Sequence, residues 1–175
     1  MPSLYEISIP ILKKALQTEV HLLKKGEQWA QENGVPRSEL TSWRIHEAML
    51  PLWAQVEIPV MHAQMAISRL TGGAFPSVDI KEMGLDDLYA LVDRAIEALD
   101  RVDSAEKITV DESTVFSCML GAGECKLTLT DSVYLYTLPN ICFHVTTLYD
   151  ILRMKGVQLG KLDYINLFIS DVRRD

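Results

Sequence analysis

The sequence predicts a mainly α protein, a four-helix bundle with one small inserted β-hairpin, and three observations lead there. Four long stretches repeat apolar residues with a period near 3.6, the mark of helices that bury one face. Between the third and fourth, the period gives way to Thr- and Val-rich alternation on either side of Gly121-Ala122-Gly123, which reads as a hairpin. The chain has 175 residues, 48% of them hydrophobic. That is one domain, 1–175, able to bury a core without disulfides or metals and too short for a second one of ordinary size.

Each element has its own justification. Apolar residues at Ile9, Leu12, Leu16, Val20, Leu23 and Trp29 define the first helix, with Lys13, Lys14, Glu19, Lys24, Lys25 and Glu27 at other angles. Ser8 before Pro10 fits a cap followed by an early helical proline, a start nearer Ser3 with a kink being the alternative, and Asn33-Gly34 with Pro36 is the stop. Arg37 to Glu47 reads as a short helix or turn. A second long helix runs from about Pro51 to Leu70 with Leu52, Val56, Val60, Ala63, Ile67 and Leu70 on one face. Pro59 inside it predicts a kink, because proline brings no N–H and clashes with the preceding turn. Thr71 to Val78, with Gly72-Gly73 and Pro76, is a loop.

The third helix, Leu85 to about Val102, has the cleanest amphipathic pattern: Leu85, Leu88, Val92, Ala95, Ile96 and Leu99 inward, Asp86, Asp93, Arg94, Glu97 and Asp100 outward. In the hairpin, about 107–130, a Gly-X turn at Gly121-Ala122 sets Cys118 opposite Cys125. The fourth helix is predicted to start after a Thr130-Asp131 cap and to end at Lys155 before Gly156. Its stripe is Tyr134, Leu138, Ile141, Val145, Leu148 and Leu152. Tyr136, Phe143, Tyr149 and Ile151 lie at other angles, which predicts the most enclosed helix of the bundle. The end, 159–175, carries an apolar knot of Ile165, Leu167, Phe168 and Ile169 and reads as a docked tail, with the cover of a partner subunit as the alternative.

Charge excludes some functions. Seventeen Lys and Arg are scattered among twenty-four acids, for a net charge of −7. Nucleic-acid binding needs clustered cations, so no nucleic-acid partner is expected. Short apolar runs, with Glu6 breaking the N-terminus, predict neither a membrane partner nor an export signal, and hence a cytoplasmic protein. Cys118, Cys125 and Cys142 form no CxxC pair and read as reduced thiols.

The chemistry, if any, centres on two histidines. His144 lies on the most apolar helix, one turn after Asn140, and a histidine held there needs a partner. His62 follows the Pro59 kink by three residues, off the Leu52/Val56/Val60 stripe, and faces the same space as His144 if that side of its helix turns toward the fourth. Both the neutral core histidine and the acid–base or metal-binding histidine stay open. His21 and His46 read as solvated or structural, and Glu47 and Glu57 are candidate proton acceptors. No EXXH pair, HEXXH, GxSxG elbow or P-loop is present. Tyr5, Trp53 and Tyr149 suit core packing or an aromatic-lined pocket.

Across SLYEISIPILKKAL, MLPLWAQVEI, HAQMAISRLTG and LPNICFHVTTLYDILRMKGVQLGKLDYI, the sequence resembles the domain of unknown function nineteen-ninety-three family, within the DinB-like superfamily, from residue 3 to about 165. The resemblance implies a DinB-like four-helix bundle, often a homodimer, and no agreed activity. It also implies comparison with superfamily members that bind a divalent metal through three histidines or act as thiol-dependent transferases or hydrolases. Only His62 and His144 match that ligand set. The resemblance implies that a histidine can occur at the place of Leu135 and polar residues at the places of Ala48, Met61 and Gln64. Two imidazoles with Asn140 are a poor set for zinc or nickel. The expectation is therefore a cofactor-free isomerase, cyclase or dehydratase acting on a small apolar, polyketide-like metabolite. In it His62 and His144 serve as acid and base, Asn140 orients, and Tyr5, Trp53 and Tyr149 line the pocket. The alternatives are a non-catalytic ligand-binding or dimerisation bundle, and a metal-dependent transferase or hydrolase with His62 and His144 among the ligands.

Overall fold

The computed structural model describes residues 2–74, 80–120 and 123–171. The long helices are α1 (Ile9–Glu32), α3 (Leu52–Thr71), α4 (Leu85–Asp100) and α6 (Leu138–Met154), with short α2 (Arg37–Leu40), α5 (Leu129–Asp131) and α7 (Lys161–Ile165). Strands β1 (Val115–Leu120) and β2 (Gly123–Thr128) pair antiparallel between α4 and α5. Mainly α with a two-stranded insertion is the fold class the sequence predicts. None of the helices in the described residues is long and apolar enough to cross a membrane.

Local chemistry explains the boundaries. A turn precedes α1: the Glu6 N–H donates to the Ser3 hydroxyl and the Ser3 N–H to the Glu6 carboxylate. Ser8 does not cap α1; its hydroxyl donates back to the Leu4 carbonyl, so the chain enters the helix through that turn. α3 ends at Gly72, whose φ of +70° is the left-handed conformation that stops helices. The Thr109 and Val110 N–H groups then donate to the Leu70 carbonyl, tying the approach to the hairpin onto the end of α3. The fourth helix starts earlier than its sequence cap suggested: the Thr128 hydroxyl accepts from the Asp131 N–H at 3.1 Å. Ser132–Thr137 continues as a π-helical turn before α6. Pro139 brings no N–H for the Leu135 carbonyl one turn back, and the helix widens just before it.

The core lies along α3. That helix packs most extensively on α6 and α4, and Ala54 to Val60 are all buried. α3, not α6, is therefore the enclosed helix. α6 and the π turn before it instead leave Tyr134, Leu135 and Phe143 exposed, the last two by 67% and 60%. Apolar residues all round a helix do not by themselves say which neighbour covers them. Glu19, placed by its angle off the α1 stripe, has no exposed surface, because α1 is covered by both α6 and α4.

Cys118 and Cys125 are paired in register, as the hairpin reading requires, with Sγ atoms 2.7 Å apart as free thiols. The Gly121-Ala122 turn between them lies outside the described residues, as do 75–79 of the loop after α3 and Arg173-Arg174-Asp175. The tail is docked: Phe168 packs on the core, its carbonyl accepts from Lys14 Nζ, and Tyr164 stacks on its ring.

Candidate functional site

Gln55 and His62 lie two helical turns apart on α3, so about 700° of rotation returns them to one face. That face meets α6 at His144. The Gln55 side-chain NH2 donates to the Leu50 carbonyl at 2.9 Å, which leaves its Oε1 as the acceptor for His144 Nδ1 at 2.7 Å. The network assigns the tautomer: Nδ1 carries the proton and Nε2 keeps a free lone pair.

His62 is 3% exposed, and its Nδ1 is buried with no hydrogen-bond partner among the described residues. Its ring meets Tyr136 edge-on, centroids 5.1 Å apart. Burial, followed by the neighbouring His144 and then Arg69, pushes the His62 pKa down to about 4. Burial alone takes His144 to about 4. Both imidazoles are therefore neutral at neutral pH, and they are near enough for a charge on one to oppose a charge on the other. The structure sets the two predicted histidines within electrostatic reach of each other.

Each helix carries a proline ahead of its histidine, and α3 runs through Pro59 as one continuous helix. Pro59 stands three residues before His62, and the π turn carries Tyr136 onto its ring. Arg69, seven residues beyond His62, continues the same face of α3 toward β1. Its charge bears on His62, on Tyr136 and on Cys118. Gln55, Tyr136 and Arg69 were not singled out in the sequence. The seven-residue spacings Gln55, His62, Arg69 were the available signal, weak because any helix offers many such spacings.

The other predicted site residues fall elsewhere. The Asn140 side chain donates to the Tyr136 carbonyl, one turn back, at 2.7 Å. Tyr5 lines a cleft of about 410 Å³ with Lys13, Lys14 and Asp100, where both lysines are already paired with Asp100 and Asp171. Trp53 lies nine residues from His62, about 180° around α3, and Tyr149 five residues from His144, about 140° around α6. Both turn from the imidazoles and pack half-buried against the core. His21 pairs with Asp163 at 2.9 Å, and exposed His46 accepts the Ala48 N–H. Glu57 is buried and accepts the Lys81 N–H at 3.1 Å, while Glu47 is exposed.

A three-histidine metal centre does not fit these residues. Among the described residues no group of three or more His, Cys, Asp and Glu side chains gathers where an ion would sit. Gln55 already holds His144 Nδ1, and Leu135 is exposed and carries no donor.

A bundle of this form, with a hairpin before its last helix, belongs to the DinB-like class. It resembles the crystal structure of a DinB family member protein from Shewanella denitrificans, with 28% identity, coverage of 93% of this chain and 91% of that one, and a TM-score of 0.83. The chain belongs to the family described as Domain of unknown function (DUF1993), whose model matches residues 4–165. None of the curated proteins matches it.

Proposed function

We propose that the chain is a small-molecule enzyme of the isomerase, cyclase or dehydratase type that moves a proton on an apolar metabolite without a cofactor. The observation that carries this reading is the locked tautomer of His144 beside a second neutral imidazole. Nε2 of His144 takes a proton from the substrate, Gln55 Oε1 holds the Nδ1–H of the imidazolium that forms, and His144 returns the proton at a second position. His62 opposes a second positive charge nearby, so the pair carries one proton at a time. Because the resting imidazoles are neutral, turnover stays flat through neutral pH and falls as pH drops toward about 4.

The test is solvent deuterium exchange, followed by NMR over a panel of apolar hydroxy and keto compounds. Wild-type protein is expected to catalyse exchange in at least one of them. His144→Ala should abolish it while circular dichroism and melting stay native-like. Full exchange in that variant, or none with the wild type, overturns the reading. A non-catalytic ligand-binding or dimerisation bundle is the second reading, favoured by the exposed Leu135 and Phe143 on the outer side of the fourth helix.

A further inference from the structure

Arg69 has no carboxylate partner among the described residues. Its Nη1 is buried with no hydrogen-bond partner among the described residues. Its Nη2 reaches only the Ser117 carbonyl, at 3.5 Å, and its guanidinium carbon lies 5.4 Å from the centre of the Phe116 ring. The ring covers one flat face, Nη1 is buried, and Nη2 is the donor left on the accessible side. Arg37 in the same chain shows what a guanidinium fork ordinarily does, bonding both Asp86 oxygens at 2.7 and 2.6 Å and Glu27 as well. A guanidinium does not lose its charge to escape burial, and a cationic N–H withdrawn from water is costly without an acceptor.

The space beside Arg69 is suited to a ligand. A cleft of about 500 Å³ opens between the end of α3 and the hairpin, within the range of small-molecule sites. Met65, Val110 and Phe116 make it mostly apolar, and Ser68 and Thr114 add hydroxyls. Among the described residues, Arg69 is the only Lys or Arg in its lining. On α3, His62, Met65 and Arg69 succeed one another at spacings of three and four, so the cleft and the His62 imidazole share one face of that helix.

We infer that this cleft binds a compact aliphatic or aromatic carboxylate, with Arg69 Nη2 on the carboxylate and the hydrocarbon against Met65, Val110 and Phe116. A carboxylate carries one charge and is answered by one guanidinium, whereas a phosphate dianion calls for more than one cation, in a chain of net charge −7. As a statement about substrate the inference rests on the proton-transfer reading; as a statement about binding it is tested without turnover.

Titration calorimetry of the full chain with 2-naphthoate, its uncharged amide and inorganic phosphate reads it directly. Naphthoate should bind one per chain and at least about tenfold more tightly than the amide, the worth of one charge-assisted bond. Arg69→Met should remove that preference while leaving the amide unchanged, and Arg69→Lys should restore part of it. Equal binding of acid and amide by the wild type, no binding of naphthoate, tighter binding of phosphate, or an Arg69→Met variant that keeps the preference each overturns the inference. The wild-type comparison stands even if the variants do not fold. If His144→Ala keeps full exchange activity while the preference still depends on Arg69, the proton-transfer reading fails and the carboxylate site survives.

Discussion

Glu19 has both carboxylate oxygens buried and without hydrogen-bond partners among the described residues. Burial raises its pKa well above the ordinary carboxylate value of 4.5. As pH rises past that value, the unfolded chain ionises Glu19 while the folded chain keeps its proton. The folded state then binds more protons, and stability falls with rising pH. Glu19→Gln removes the ionisation while keeping the shape. Melting curves should show the variant more stable than wild type at pH 7, with the difference shrinking to nothing near pH 4. A difference that stays constant across that range would mean that Glu19 does not titrate in this way. The histidines differ in that their chemistry depends on a neighbour: Gln55 decides which nitrogen of His144 is free, and Gln55 is itself oriented by the Leu50 carbonyl.

At the scale of elements, a proline lies on each side where α3 meets the fourth helix. Pro59 deprives the Gln55 carbonyl of its usual helical partner, and Pro139 does the same for Leu135. Pro59 precedes His62 by three residues and Pro139 precedes His144 by five. Two glycines allow a cleaner test of backbone conformation. Gly72 ends α3 at φ +70°, where an added Cβ meets Val110 Cγ2 at an ordinary 3.4 Å, and Gly34 follows α1 at φ +67° with nothing within 4 Å. Gly72→Ala and Gly34→Ala should each cost roughly 1 kcal/mol in urea unfolding, the penalty of a left-handed L-residue. A much larger loss at Gly72 alone would assign the cost to packing against the segment that leads to the hairpin.

For the whole molecule, the buried neutral histidines make the bundle acid-sensitive. Above pH 6.5 the folded and unfolded chains both hold His62 neutral. As pH falls below that value the unfolded chain takes up a proton that the folded chain refuses until about pH 4, so stability is lost across that window. At pH 5 the loss from His62 is on the order of 2 kcal/mol. His144 adds a loss of the same sign, reduced by its greater contact with solvent. The double variant His62→Gln, His144→Gln should therefore lose less stability between pH 7 and pH 5 than the wild type. Parallel pH profiles from denaturant unfolding would show that neither histidine is held neutral by the fold.

Much of this architecture was legible from local pattern alone. The 3.6 period of α1, α3 and α4 marks their buried faces, and the symmetric flanks of Gly121-Ala122-Gly123 set Cys118 against Cys125, because local spacing determines hairpin register. Family membership was equally legible, since it rests on order along the chain. What the tertiary structure decided is how each helix turns about its own axis and what covers it. Trp53 and Tyr149 face away from the histidines, α3 rather than α6 takes the centre, and Glu19 is enclosed because α6 and α4 both cover α1. The partnership of Gln55 with His144 joins residues 89 positions apart, and the unpaired edge of Arg69 depends on where the hairpin lies. No local pattern encodes either, because each depends on the packing of elements distant in sequence.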